Sequence, residues 1–95
     1  MKKKLLTNIK HYGIEEELRK FNEENYELIE AIIYLENSDF TISDDLKNHI
    51  AEEIADNLVI LKQFQYYYKI SQKQINKLIN YKIERQMKRI ANDIK

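Results

Sequence analysis

The 95-residue sequence contains no cysteine, no proline and a single glycine. Without cysteine the chain forms neither disulfides nor thiolate metal sites. Glycine and proline are the residues that most often break regular structure, so their scarcity favours long helices with few interruptions. No apolar run approaches the roughly 20 residues that a membrane-spanning helix requires. These absences predict an all-α, soluble protein with a cytoplasmic location and no membrane partner.

An excess of charge of one sign is also lacking, because 16 basic residues balance 16 acidic ones. A balanced chain has no overall attraction for nucleic acid, so no nucleic-acid partner is expected. The basic start, MKKKLL, is expected to be a solvated lead-in, since its apolar stretch is too short for a signal peptide. The length predicts one domain over residues 1–95. Such a domain buries only about 60–65% of its unfolded surface and is marginal unless it is very regular or oligomeric.

Local signals divide the chain into a short N-terminal helix and three long helices. Gly13 ends the short helix, and a long helix is expected over about residues 14–36, with acidic residues in its first turn. NSDFTISDD is the clear loop, and Ser43 is expected to cap a helix that runs to about residue 69. Ser71 begins a capping box, after which apolar residues keep helical spacing to the end. We predict a helical bundle that is completed by oligomerisation.

Two pairs of acidic residues repeat at one spacing beside the predicted core. Glu24 and Glu27 lie three apart on the first long helix, and Glu53 and Asp56 lie three apart on the second. Residues at this spacing are separated by about 60° around a helix, so the two side chains of each pair can bind the same partner. If the two helices pack antiparallel, as a short loop requires, the four carboxylates converge. They then repel one another unless a cation neutralises them.

The ligand type restricts the choice of ion. Neither His11 nor His49 stands three residues after a glutamate, in contrast to the Glu-x-x-His pairs of di-iron bundles, and His49 is expected to be a surface or cap-region residue. Ligands that are all oxygen favour Mg²⁺ or Mn²⁺. Mg²⁺ typically keeps several waters and completes its shell with substrate phosphates. The pattern therefore indicates a site for the phosphate chain of a nucleotide.

Three segments together resemble a known enzyme family. LRKFNEENYELIEAI and HIAEEIADNLVILKQ resemble the signature helices of the MazG-like, all-α nucleoside triphosphate pyrophosphohydrolases, whose pattern is EExxE followed by ExxD. The residues that match this pattern are Glu23, Glu24, Glu27, Glu53 and Asp56. NYKIERQMKRI resembles the family's basic K-x-x-R helix, with Lys82 and Arg85 at the matching places. The resemblance covers about residues 11–90.

The resemblance implies a hydrolase that cleaves a nucleoside or deoxynucleoside triphosphate between the α and β phosphates, with Mg²⁺ or Mn²⁺, to the monophosphate and pyrophosphate. The metal ligands that it implies are Glu24, Glu27, Glu53 and Asp56. The same four residues and Glu23 are the candidate catalytic residues, and Glu23 would act as the base or as a partner of a metal ligand. Which carboxylate is the base stays open, as does the preference for base and sugar.

Three residues are candidates for binding the substrate, and each has a structural alternative. Lys82 and Arg85 would bind the leaving pyrophosphate, and a solvated, salt-bridged face is the alternative. Tyr34 lies about 10 Å along its helix from Glu27, so its ring could stack on a nucleobase, with subunit packing as the alternative. Tyr67 sits about 21 Å along its helix from Glu53, and core or interface packing is expected there.

The first long helix also indicates a partner. Ile29, Ile33 and Tyr34 lie away from its main apolar stripe and suggest a second buried surface. We therefore expect a homodimer or homotetramer. The alternative to an enzyme is a catalytically silent helical module that binds a protein partner or senses nucleotides.

Overall fold

A computed structural model describes residues 1–37 and 43–93. These residues form four helices, namely α1 (Lys2–Tyr12), α2 (Ile14–Glu36), α3 (Asp44–Tyr67) and α4 (Gln72–Asp93). The predicted all-α class, with one short and three long helices, is confirmed. No helix in the described ranges is long and apolar enough to cross a membrane. The central residues of the predicted loop, 38–42, lie outside the described residues.

The predicted helix boundaries follow from local chemistry. Gly13 separates α1 from α2 with a φ of 90°, a left-handed conformation that glycine adopts without a side-chain clash. The Ser43 hydroxyl accepts a hydrogen bond from the Leu46 amide at 3.2 Å. The Ser71 hydroxyl accepts one from the Gln74 amide at 3.1 Å. Both serines therefore satisfy amides that the first turns of α3 and α4 leave free.

Helix α2 packs against α3, and α1 crosses both of them. The prediction of a solvated lead-in for MKKKLL is correct only for the exposure of residues 1–4, because α1 already begins at Lys2 and includes both leucines. Leu5 and Leu6 are half-buried, and Ile9 one turn later is only 1% exposed. Their helical spacing gives α1 a narrow apolar stripe that covers the α2–α3 pair, which is why this segment folds.

A buried polar cluster lies where α1 meets the other two helices. The Asn8 side-chain amide donates to Gln63 Oε1 at 3.0 Å and to Glu17 Oε1 at 3.4 Å. Glu17 and Gln63 are almost completely buried. These hydrogen bonds join α1 to both other helices, although the second oxygen of Glu17, Oε2, is buried and has no partner among the described residues.

Helix α4 does not pack along any other helix in the described parts of the chain. Only its start is attached, where Lys62 and Gln65 of α3 donate to the Gln72 side-chain oxygen. The predicted helical spacing of its apolar residues is present, but most of the face that they form is uncovered by the described residues. The exposed members of that face are Leu78, Ile79, Ile83, Met87 and Ile90.

Candidate metal centre

Helices α2 and α3 bring three carboxylates together. Each of Glu24, Glu27 and Glu53 offers an oxygen, and these oxygens all lie within 4.8 Å of one another. Glu53 is buried, Glu24 is half-buried and Glu27 is exposed. The group therefore opens to solvent on one side while its other side faces the packed interior. We call these three residues the carboxylate group.

The antiparallel packing of α2 and α3 creates this arrangement. The Phe21 and Phe64 rings meet edge to face, with 6.2 Å between their centroids. Farther along α2, the main chain of Glu24 meets Asn57, and Glu27 then meets Glu53. In these successive contacts the residue number rises along α2 and falls along α3, so the two helices run antiparallel. The sequence pattern had predicted this direction of packing from the short loop.

Asn57 holds the two helices in register at the carboxylate group. Its side-chain nitrogen donates to the main-chain oxygen of Glu24 at 3.1 Å and to that of Glu53 at 2.8 Å. Asn57 is 5% exposed, so both hydrogen bonds are shielded from water. Asn57 is not among the residues predicted from the sequence, although a polar side chain one turn after Glu53 on the core-facing side was a signal.

The electrostatic environment of the group is unfavourable for bare carboxylates. Burial raises the pKa of Glu24, and the charges of Glu27, Asp56 and Glu53 raise it further. Burial likewise raises the pKa of Glu53, with Glu27 and then Asp56 adding to the rise. In both residues the effects that disfavour the charged form are the stronger ones.

The donor chemistry fits a hard divalent cation. Glu24 Oε2 and Glu53 Oε2 are buried and accept no hydrogen bond from the described residues. The ion pairs found in the described ranges join Arg19 to Glu16 and Glu23, and none involves the carboxylate group. Buried carboxylate oxygens without a positive partner are the ligands that Mg²⁺ and Mn²⁺ accept.

Two other predicted acidic residues lie outside the carboxylate group. Asp56 is exposed, and no oxygen of Asp56 belongs to the 4.8 Å cluster, yet its charge acts on Glu24 and Glu53. Glu23 forms an ion pair with Arg19 four residues earlier on the exposed side of α2. Glu23 is not among the three clustered carboxylates, and its role as the base or as a partner of a metal ligand stays a prediction.

A pocket of about 450 Å³ adjoins the carboxylate group and is lined by Glu27, Tyr34 and Glu53. The structure thus places Tyr34 beside two of the predicted metal ligands. His49 also lines this pocket, and its charge lowers the pKa of Glu53 against the effects of burial. The sequence predicts only a surface or cap-region role for His49, although this residue precedes Glu53 by one helical turn and so shares its face.

The predicted phosphate-binding residues are not brought to the carboxylates within one chain. Lys82 and Arg85 lie on α4, which does not pack against α2 or α3. The Arg85 guanidinium instead lies 5.9 Å from the centroid of the Tyr81 ring on its own helix. Their role stays a prediction that requires a second chain or a different position of α4.

No protein-family model, curated protein or solved structure matches this chain. The resemblance to the MazG-like enzymes therefore rests on the residues of the sequence alone. The function has to be argued from the carboxylate group, its burial and the pocket beside it.

Proposed function

We propose that this protein is a Mg²⁺-dependent nucleoside triphosphate pyrophosphohydrolase of the MazG-like type. The observation that supports this function most strongly is the convergence of Glu24, Glu27 and Glu53 from two helices. Carboxylates on an ordinary acidic surface separate and remain hydrated. Here two of the three hold an unpartnered oxygen out of water, an arrangement that destabilises the chain unless a cation compensates it.

Each step of the proposed reaction has candidate residues at the site. Glu24, Glu27 and Glu53 would hold Mg²⁺ or Mn²⁺, and Asp56 adds negative charge at their edge. The bound ion would neutralise the triphosphate and make a water molecule more acidic. Attack of water on the α-phosphorus breaks its bond to the oxygen that bridges to the β-phosphorus, which releases pyrophosphate and leaves the monophosphate. A carboxylate of the site accepts the proton of that water.

The pocket supplies the means to orient a nucleotide. Tyr34 presents an exposed ring at its wall, which suits stacking of a nucleobase. His49 lines the same wall with two ring nitrogens that can contact a phosphate or a sugar hydroxyl. Both side chains lie on the helices that carry the carboxylates, so the substrate and the ion share one rigid frame.

A homodimer or homotetramer completes the proposed enzyme. A helix without tertiary packing is marginal in water, and α4 has no such packing in the described chain. Ile29 and Ile33 on α2 are likewise 53–54% exposed. A second copy would cover these apolar faces. It would also allow its Lys82 and Arg85 to approach the carboxylates and bind the leaving pyrophosphate.

A nucleotide panel tests the reaction directly. Purified protein is incubated with each nucleoside and deoxynucleoside triphosphate in Mg²⁺, and pyrophosphate and orthophosphate are assayed separately. We expect pyrophosphate with at least one nucleotide, loss of the activity on chelation, and loss by orders of magnitude in Glu53→Gln. The neighbouring variant Glu52→Gln should remain active. Orthophosphate without pyrophosphate would exclude cleavage between the α and β phosphates.

The second candidate function is a catalytically silent helical module that binds a protein partner or senses nucleotides. The uncovered apolar face of α4 favours it, because such faces often bind other proteins. Calorimetry distinguishes the two functions. Binding of a nucleotide with Mg²⁺ but no release of pyrophosphate from any nucleotide would favour the silent module.

A further inference from the structure

A second cleft lies near the other end of α3. Its volume is about 610 Å³, which is in the range of small-molecule sites. Helix α1, the end of α3 and the start of α4 enclose it, and no acidic side chain lines it in the described structure. Tyr66 in its wall is about 20 Å along α3 from Glu53. The residues that matter here are Lys2, Lys10, Tyr66, Tyr67, Lys69 and Ser71.

The charge of the chain is balanced overall but separated in space. Helix α1 carries four lysines and no acidic residue, whereas α2 carries eight glutamates and only two basic residues. Lys2 and Lys10 line the cleft, and together with Lys3 they also line a second hollow that continues it over α1. A concave surface with one sign of charge concentrates ligands of the opposite sign. This cleft therefore favours an anion, in contrast to the carboxylate pocket.

Lys69 contributes a third cation from an unusual backbone conformation. Its φ is 58°, a left-handed value that is otherwise taken among the described residues by Gly13. The Lys69 amide donates to the Tyr66 carbonyl at 3.1 Å, and the Ile70 amide donates to the Gln65 carbonyl at 2.9 Å. This pattern is the helix ending in which glycine is usual, because a β-carbon is strained there. Glycine would form the same turn with less strain, so the side chain of Lys69 is not needed for the turn.

Aromatic rings complete the wall. The Lys2 ammonium lies 5.8 Å from the centroid of the Tyr66 ring, which holds that cation at the cleft. Tyr67 is 41% exposed, lines the cleft and meets Tyr68 edge to face, so part of its ring is accessible to a ligand. Ser71 places the positive end of α4 at the same cleft. Lysines, a helix N-terminus and an open ring together suit a phosphate that carries an aromatic group.

We propose that this cleft is a second binding site for a small molecule of the free-nucleotide class. Lys2, Lys10 and Lys69 bind its phosphates, and the Tyr67 ring stacks on its base. The site lies far from the carboxylate group and needs no divalent ion. The inference therefore does not rest on the proposed hydrolase function.

Isothermal titration calorimetry in chelator tests the site, with adenosine triphosphate and inorganic triphosphate as the probes. Without a divalent ion the carboxylate group repels both probes, so they should bind at cationic surfaces, and the substitutions distinguish the cleft from the basic residues of α4. We expect wild-type protein to bind both and to bind the nucleotide more tightly. Lys10→Met and Lys69→Gly should each weaken both affinities by about fivefold, the upper range for a partly exposed ion pair. Tyr67→Leu should weaken binding of the nucleotide alone.

Two controls distinguish a loss of binding at the cleft from a loss of folding and from a general effect of removing positive charge. Lys69→Gly relieves the left-handed strain, so its melting temperature should be unchanged or higher while its affinity falls. The matched control Lys88→Met removes one exposed lysine from α4 outside the cleft and should bind as the wild type does. Unchanged affinity in both Lys10→Met and Lys69→Gly would overturn the proposal, as would an equal loss in Lys88→Met.

Two further results would also overturn it. The first is no binding of either probe at millimolar concentration. The second is much tighter binding of a short single-stranded RNA than of the nucleotide, which would indicate a nucleic-acid surface. Binding in chelator without any hydrolysis in Mg²⁺ would contradict only the proposed hydrolase function, and hydrolysis without binding in chelator would contradict only this cleft.

Discussion

The side-chain nitrogen of Asn57 on α3 donates a hydrogen bond to the main-chain carbonyl oxygen of Glu24 on α2, at 3.1 Å. The same nitrogen donates to the main-chain oxygen of Glu53 one turn earlier, at 2.8 Å. One buried amide therefore links the two backbone segments from which the carboxylate group projects. This link contributes to the position of Glu24 relative to Glu53, together with the contact between the Phe21 and Phe64 rings.

Replacing Asn57 by alanine should destabilise the protein. The variant loses two shielded hydrogen bonds and leaves a cavity, so the free energy of unfolding should fall by about 1–3 kcal/mol. Denaturation in urea measures this change. Asn76→Ala is the control, because Asn76 makes its hydrogen bond on the exposed side of α4, and its effect should stay within about 0.5 kcal/mol. Equal effects of the two substitutions would contradict the role of Asn57.

Replacing Glu27 or Glu53 by glutamine should separate stability from metal response. In chelator, the loss of one negative charge from the carboxylate group should leave the melting temperature unchanged or raise it. In Mg²⁺ the wild type should gain about 2.7 kcal/mol at 100 times its Kd, and each variant should lose most of that gain. Glu52→Gln, a neighbour outside the group, should respond as the wild type does. Identical shifts in all four proteins would refute the metal site.

The raised pKa values of Glu24 and Glu53 predict a pH dependence with a definite sign. A carboxyl group whose pKa is raised by folding binds its proton more tightly in the folded state. The stability that it contributes is present below the ordinary value of 4.5 and is lost as the pH rises through the folded-state pKa. In chelator, the apo protein should therefore become less stable above that value. Thermal denaturation across this range measures the loss.

The matched variants for the pH dependence follow from the same shifts. Glu24→Gln combined with Glu53→Gln should reduce the loss of stability above pH 4.5, because neither residue then titrates. Glu16→Gln is the control, since a hydrogen bond from Arg19 lowers the pKa of Glu16 and its contribution has the opposite sign. A pH profile of the double variant that matches the wild type would show that other groups cause the loss.

The uncovered face of α4 predicts self-association. Analytical ultracentrifugation at micromolar concentration should show at least a dimer, because a second copy would bury Ile83 and its apolar neighbours. Ile83→Glu places a charge in that face and should shift the protein toward the monomer. Gln74→Glu adds the same charge on the opposite side of α4 and should leave the assembly intact. A wild-type monomer at this concentration would contradict the prediction.

Local sequence was sufficient for the helices and for the faces of the acidic pairs. Gly13, Ser43 and Ser71 act on the few residues beside them, so their effects on helix ends can be read without any knowledge of the fold. The spacing of Glu24 and Glu27 likewise fixes their common face, because helix geometry is the same in every fold.

The tertiary structure decided which of these faces meet. Asp56 shares a face with Glu53 by spacing, but the packing of α3 on α2 leaves it exposed and outside the group, while it brings His49 and Tyr34 to one pocket. The long apolar stripe of α4 did not indicate that this helix would lack packing against the other described helices. Helix rotation, register and partner depend on contacts such as that of Asn57 with Glu24, which join residues far apart in the chain. Periodicity within one helix carries no information about such contacts, because it specifies a face but not what covers it.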